Sequence, residues 1–255
     1  MSVTEGGTIR RFEGRTAIIT GAASGMGLLT SQKLAEEGAI VYMADINEER
    51  LEREAQAIRE SGGRAIACVT DLREYDQIFR TAERVMKDEG HIDILVNFAG
   101  GFPPRMCGKP TDFLHEDLDV IDWGIQVNFR APMLFDRVVL GHMIDNKRGV
   151  IIHIGSVDGE TGGGVDYAAE KSGLTYGLTK AIARVGAPYG VRCCGVTPGP
   201  VLTRASMANM KTAMGRAAEP IEVVKLVLYL CSDDAAFITG SNHLIEGGRV
   251  LLNNA

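Results

Sequence analysis

Tyr167 and Lys171 stand four residues apart in a stretch from about Val165 to Ala187 that reads as a helix, so both fall on one face. An ammonium beside a phenol favours the phenolate and lowers the Tyr pKa, which gives a general acid/base usable near neutral pH. Ser156 follows an apolar run, Val150 to Ile154, and adds a hydroxyl at a strand end ahead of that helix. On spacing alone the Tyr/Lys pair reads equally as an ordinary surface contact, so the surrounding elements have to decide.

The stretch that organises those elements is Arg15 to Asp45. It reads as an apolar strand (Thr16 to Thr20), a glycine-punctuated turn (Gly21 to Gly27), a helix to about Glu37 and a second apolar strand ending at Asp45. Such a unit brings backbone close to a ligand where glycine allows it. It also aims a helix N-terminus at a phosphate and sets a carboxylate about 20 residues on, where a ribose lies. Gly21, Gly25 and Gly27 place one more residue between the first two glycines than the common GxGxxG order. The reading is a dinucleotide site, with Asp45 as the feature that separates it from a plain tight turn.

The chain has 255 residues, 45% of them hydrophobic, enough for one sizeable core and one domain. A formal charge of -6 argues against a phosphate-backbone binder, so no nucleic-acid partner is expected. Five cysteines without zinc-like spacing point to a reducing compartment, and no apolar run reaches membrane-spanning length. A cytoplasmic protein without a membrane partner is the expectation. His153 and His243 lack a suitably spaced third ligand, so no metal site is expected.

In order, residues 1 to 10 read as a flexible extension and 11 to 255 as the domain. Asn47 caps a helix to about Ser61; Ala65 to Val69 is a third strand with Asp71 just beyond it; a helix from Glu74 to Asp88 leads to a strand at Ile92 to Asn97. Residues 101 to 117 read as the longest irregular segment, leaving the sheet at the ligand-binding strand ends. A helix from about Leu118 to Asp145 contains Pro132, which cannot donate to the Asn128 carbonyl and should kink it. Strands at Val191 to Val196 and around His243 to Glu246 and a helix from Pro220 to Cys231 close the chain. Alternating apolar strands and amphipathic helices predict a parallel sheet covered on both faces.

These residues resemble the short-chain dehydrogenase/reductases over about residues 11 to 248. Thr20 to Gly27 matches the family's TGxxxGxG turn, Asn97-Phe98-Ala99-Gly100 its NNAG segment, and Tyr167 to Lys171 its YxxxK motif. Asn128, Ser156 and Pro198-Gly199 with Thr203 also fall at family site positions. The resemblance implies a single Rossmann-like α/β domain with a seven-stranded parallel sheet, and hydride exchange between a nicotinamide cofactor and an alcohol or carbonyl substrate. It implies that Tyr167 exchanges the hydroxyl proton, Ser156 holds the substrate oxygen, Lys171 binds the nicotinamide ribose, and Asn128 holds a water through its carbonyl. Cofactor contacts then fall to Gly21, Ser24, Gly25, Met26 and Gly27 in the turn, and to Asp45 with Ile46 and Asp71 with Leu72 after the second and third strands. Asn97, Ala99, Gly100, Tyr167, Lys171, Pro198, Gly199, Val201 and Thr203 complete the set. The family is usually tetrameric or dimeric, so a homotetramer or a homodimer is expected.

Asp45 and the absence of a basic residue at Ser24 or Ile46 favour NAD, since a 2′-phosphate would meet like charge there. Three positions depart from the family. Phe98 replaces an Asn, Gly155 precedes Ser156 where Ser is frequent and is expected to leave space beside the substrate, and Glu246 stands where Asp is common. The expected activity is oxidation of a secondary alcohol by NAD. Reduction of a 3-oxoacyl or other activated ketone is the alternative inside the family, and a non-catalytic nucleotide-binding scaffold the alternative outside it. Arg130, Arg137, Lys147 and Arg148 are the sequence candidates for a carrier-binding surface. Neither the segment 201 to 216 nor the glycine-rich loop after Ser156 places a charged pocket.

Overall fold

The computed structural model describes residues 10–110 and 112–252. The extension expected over residues 1–10 lies, apart from Arg10, outside the described residues. Seven strands form one parallel sheet: β1 (Thr16–Thr20), β2 (Ile40–Asp45), β3 (Arg64–Val69), β4 (Ile94–Asn97), β5 (Gly149–Ile154), β6 (Val191–Pro198) and β7 (Asn242–Ile245). Their order is β3-β2-β1-β4-β5-β6-β7. The chain reverses its direction of travel across the sheet between β1 and β4, and a crevice opens there beyond the carboxyl ends of the strands.

Side chains alternate across each strand, and in β1, β2, β4, β5 and β6 both faces are buried, the edge strands β3 and β7 being partly exposed. Ile19, Val41 and Val96 enter one core with Leu34 of α1 (Gly25–Glu36), Leu51 of α2 (Glu48–Glu60) and Val227 of α10 (Pro220–Cys231). Ile18, Tyr42 and Leu95 enter the other with Ile78 of α3 (Tyr75–Glu89) and Phe135 of α6 (Ala131–Asp145). This is why the strands read as continuous apolar runs instead of alternating ones.

The expected irregular segment 101–117 is partly helical. Pro103 and Pro104 fill the first positions of α4 (Pro103–Cys107), where a missing N–H costs nothing, and Gly108 ends it at φ 66°. A short 3₁₀ turn covers Phe113–His115.

The helix expected from Leu118 to Asp145 is α5 (Leu118–Gly124), a π turn (Ile125–Arg130) and α6 in succession. Instead of a simple kink, the missing Pro132 N–H is accommodated by a widened turn in which Ala131 N–H donates to Gln126 O, five residues back. After β5 and the single turn α7 (Asp158–Thr161), the helix carrying Tyr167 and Lys171 divides the same way. It runs as α8 (Val165–Ser172), a π turn (Gly173–Leu178) and α9 (Thr179–Gly186).

Candidate active site

The β1–α1 turn forms a cradle of close backbone contacts. Gly21 lies at φ 66°, and a Cβ there would stand 2.9 Å from Ala99 N; a Cβ on Gly27 would stand 2.3 Å from Gly21 O. A side chain at Gly21 would push the turn off the segment after β4, and one at Gly27 would push the helix start off the turn, so both glycines keep the close approach a pyrophosphate needs. Asp45 Oδ2 accepts from Ala23 N at 3.1 Å and Oδ1 from Asn47 N at 3.0 Å, so this carboxylate pins the turn as well as facing the groove. Gly21, Ser24, Met26, Gly27, Asp45, Ile46, Asp71, Leu72, Ala99 and Gly100 line one cavity of about 410 Å³.

Three sequence assignments, Gly25, Asn97 and the fully buried Asn128, line neither this cavity nor the adjoining one. Gly25 starts α1 at φ 57° without lining the cavity. Asn97 is buried in β4, where its amide donates to Asp136 Oδ1 at 3.4 Å.

Ser156, Tyr167, Lys171, Pro198, Gly199, Val201 and Thr203 line an adjoining cavity of about 460 Å³, which shares Met26, Phe98 and Gly100 with the first. Tyr167 packs edge-on against Phe102, centroids 5.7 Å apart at 82°. Lys171 Nζ donates to Ile154 O at 3.0 Å and lies 5.8 Å from the Tyr167 ring centroid. Ser156 Oγ donates to Asp158 Oδ2 at 3.1 Å.

Asn128 is fully buried; its Oδ1 accepts from Gly101 N, and its Nδ2 donates to Gly101 O and to Glu170 Oε2, at 2.9, 2.9 and 2.8 Å. Its side chain therefore clamps the loop after β4 to the helix bearing Lys171.

The profile of the short chain dehydrogenase family matches residues 15–213. A 7α-hydroxysteroid dehydrogenase of Bacteroides fragilis is 32% identical over 96% of this chain and 98% of that one. A 3-oxoacyl-[acyl-carrier-protein] reductase of Thermotoga maritima is 33% identical over 94% of this chain and 100% of that one. Among solved structures, a 7α-hydroxysteroid dehydrogenase complexed with NADH and 7-oxo glycochenodeoxycholic acid superposes with a TM-score of 0.85 at 28% identity, covering 94% of this chain and 95% of that one.

The chain belongs to the short-chain dehydrogenase/reductase family.

In this dehydrogenase the expected lowering of the Tyr167 pKa is reversed. Burial pushes the phenol up to about 12, with Ser156 and Arg105 pulling it down and the Asp158 and Glu170 carboxylates adding to the rise. The Lys171 ammonium faces the Ile154 carbonyl and is itself pushed down by burial, to about 8. Burial raises Glu170 to about 7, against the Asn128 hydrogen bond. Sequence spacing brings the two functional groups to one face but carries no desolvation.

Besides Phe98 of the NNAG-like segment, residues outside the motifs line the two cavities of the dehydrogenase. Phe98 walls both cavities, and Arg73 lines the nucleotide groove with its guanidinium forked onto Asp71. Phe102, Arg105, Asp158 and Arg204 line the second cavity, with Met207 and Met210, for which the sequence leaves substrate contact and helix packing equally open, so charged groups stand where the sequence placed no charged pocket. Pro103-Pro104 ahead of Arg105 was the one available signal, a helix start aimed at the strand ends.

The Gly155 expectation also needs correction. The space its side chain would take is filled by Thr175 Cγ2 at 2.5 Å and Thr197 Oγ1 at 2.6 Å. Arg148 pairs with Asp93 just before β5, at the end of the sheet opposite the cavities, so it does not adjoin them. His153 is bonded to Asp136 and Thr179 inside the core, and His243 to Ser241.

Proposed function

We propose that this short-chain dehydrogenase exchanges a hydride between NAD(H) and a secondary alcohol or its ketone, working as an alcohol oxidant in the cell, with Tyr167, Ser156, Lys171 and Asn128 as the active site. The observation that carries the reading is the convergence of Ser156, Tyr167 and Lys171 on a cavity continuous with the glycine-turn groove. The cradle that a Cβ at Gly21 or Gly27 would fill fits a dinucleotide, and a bound nicotinamide would supply the hydride chemistry.

The chain's own groups manage the proton. Tyr167, a phenol across neutral pH, gives its proton to the oxygen of a ketone; in the oxidation direction it must first lose that proton to the relay, and the phenolate then takes one from the alcohol. Ser156 Oγ, turned from Asp158, donates to that same oxygen as negative charge develops on it. Lys171, buried beside the ring, supplies positive charge to the phenolate that Tyr167 becomes. Asn128 fixes the loop at Gly101 against this cluster, and its main-chain carbonyl holds a water that completes the proton relay.

Asp45 favours NAD over NADP. Its oxygens face the groove, and the Arg73 guanidinium in the same groove is committed to Asp71. Residues 11–255 make up the oxidoreductase domain, with 1–10 as an extension, and the protein assembles as a homotetramer. The five free thiols suit a reducing, cytoplasmic setting.

The test is Tyr167→Phe, which keeps the ring and removes the moving proton. Turnover should fall at least roughly 100-fold while NAD affinity changes little. Unchanged turnover on a confirmed substrate would refute the assignment.

A further inference from the structure

Two guanidinium groups from distant parts of the chain meet at the substrate cavity. Arg105 comes from α4, and Arg204 from the segment after β6. Both are exposed at the cavity wall, whose inner surface holds Ser156 and Tyr167. Arg105 Nη2 lies over Gly101, where a Cβ would stand 3.1 Å away; Arg204 Nε donates only to Ser206 Oγ, at 3.1 Å.

On the surface Arg59, Arg73 and Arg216 each find a carboxylate, at 2.5 to 2.6 Å, whereas Arg50, Arg80, Arg137 and Arg184 have none among the described residues, so it is the position at the cavity that sets Arg105 and Arg204 apart. Among the described residues neither Arg105 nor Arg204 has one within ion-pair distance, although packing and the neighbouring Arg204 both weigh against the charge on Arg105. Asp158 is the carboxylate on the same wall, and it is turned to Ser156 Oγ. The same cavity is also lined by apolar Phe102, Pro200, Val201, Met207 and Met210.

We propose that Arg105 and Arg204 receive the carboxylate of a small hydroxy or oxo acid, whose apolar body lies along Phe102 and Met207 while its alcohol or ketone carbon reaches Ser156 and Tyr167. Two forked donors match the planar acceptor pair of a carboxylate, and an anion there relieves the repulsion between like charges. The placement of the reacting carbon rests on the activity proposed above; the charge selection does not.

The experiment uses two matched pairs of acid and primary amide: a linear 4-oxoalkanoate and 4-oxocyclohexanecarboxylate. Binding to full-length Tyr167→Phe saturated with NAD is measured by isothermal titration, and turnover is measured with the unmodified protein. At least one acid should bind at least ~10-fold more tightly than its amide, and Arg105→Gln/Arg204→Gln should bring that ratio near one.

Equal binding of acid and amide in every pair, a preference that survives the double substitution, or no binding of any acid at millimolar concentration would overturn the charge selection. Turnover of amides as fast as acids would leave the oxidoreductase reading standing and remove this one. An arginine-dependent preference in binding with no turnover of any probe would keep the charge selection and overturn the placement of the reacting carbon at Ser156 and Tyr167.

Discussion

Glu170 shows how a single carboxylate can tie site geometry to pH. Its Oε2 accepts from Asn128, its Oε1 is buried without a partner among the described residues, and burial raises its pKa to about 7 from 4.5. A raised folded-state value means the native chain holds more protons than the unfolded one between about 4.5 and 7. The group's contribution is therefore full below 4.5 and is lost as pH rises through 7. Glu170→Gln keeps an acceptor for Asn128 and removes the charge. It should raise stability relative to the parent by on the order of 2–3 kcal/mol at pH 8 and by much less at pH 5, read as urea midpoints. An equal difference at both pH values would show that Glu170 does not ionise in the folded protein. Asp45 acts at the same scale: NAD should exceed NADP by at least roughly 100-fold in kcat/KM, about 2.7 kcal/mol. Asp45→Ala should erase much of that gap by relieving the phosphate penalty while also freeing Ala23 N from its acceptor and weakening NAD use. Comparable efficiency with both cofactors in the parent protein would remove Asp45 from the ribose site.

At the scale of elements, the β1–α1 turn and the two π turns do the positioning. Gly27 sits inside α1 at an ordinary backbone angle, so only crowding excludes a side chain there, against Gly21 O at 2.3 Å. Gly27→Ala should therefore displace the helix start and raise the NAD dissociation constant at least ~10-fold while the sheet stays folded. Unchanged NAD binding by titration would mean that the turn does not hold the pyrophosphate. The second π turn follows directly on the helix of Tyr167 and Lys171, and Thr179 Oγ1 bridges its Leu174 carbonyl to His153 on β5. Asp136 holds the other side of His153, so buried polar groups anchor the widened turn to the sheet.

At the scale of the molecule, the long helices leave apolar surface uncovered. Ile125 and Met133 are exposed on the run from α5 to α6, and Tyr176 and Val185 on that from α8 to α9. Gly173 packs on the Phe129 ring, whereas a Cβ on Gly177 would meet nothing within 4 Å, so crowding within the chain does not require glycine there. The proposed tetramer would use this surface for close helix approach between copies. Light scattering at micromolar concentration should give a tetramer, and Gly177→Trp should shift it toward smaller species with little loss of thermal stability. A monomeric parent protein would refute the assembly.

The sequence by itself determined the strands, the glycine turn with Asp45 and the Tyr/Lys face, because each depends on spacing within one or two elements. The predicted helix from Pro220 to Cys231 is α10 to the residue, bounded by a proline start, with Glu222 reaching back to Glu219 N at 2.8 Å. Tertiary structure decided what depends on residues meeting from afar. It turned the Asn128 side chain onto Gly101 and Glu170, filled the space beside Gly155 with Thr175 and Thr197, and set Arg105 beside Arg204. It also reversed the expected Tyr167 shift, since the cost of removing a charge from water depends on everything that surrounds the group and local spacing does not contain it.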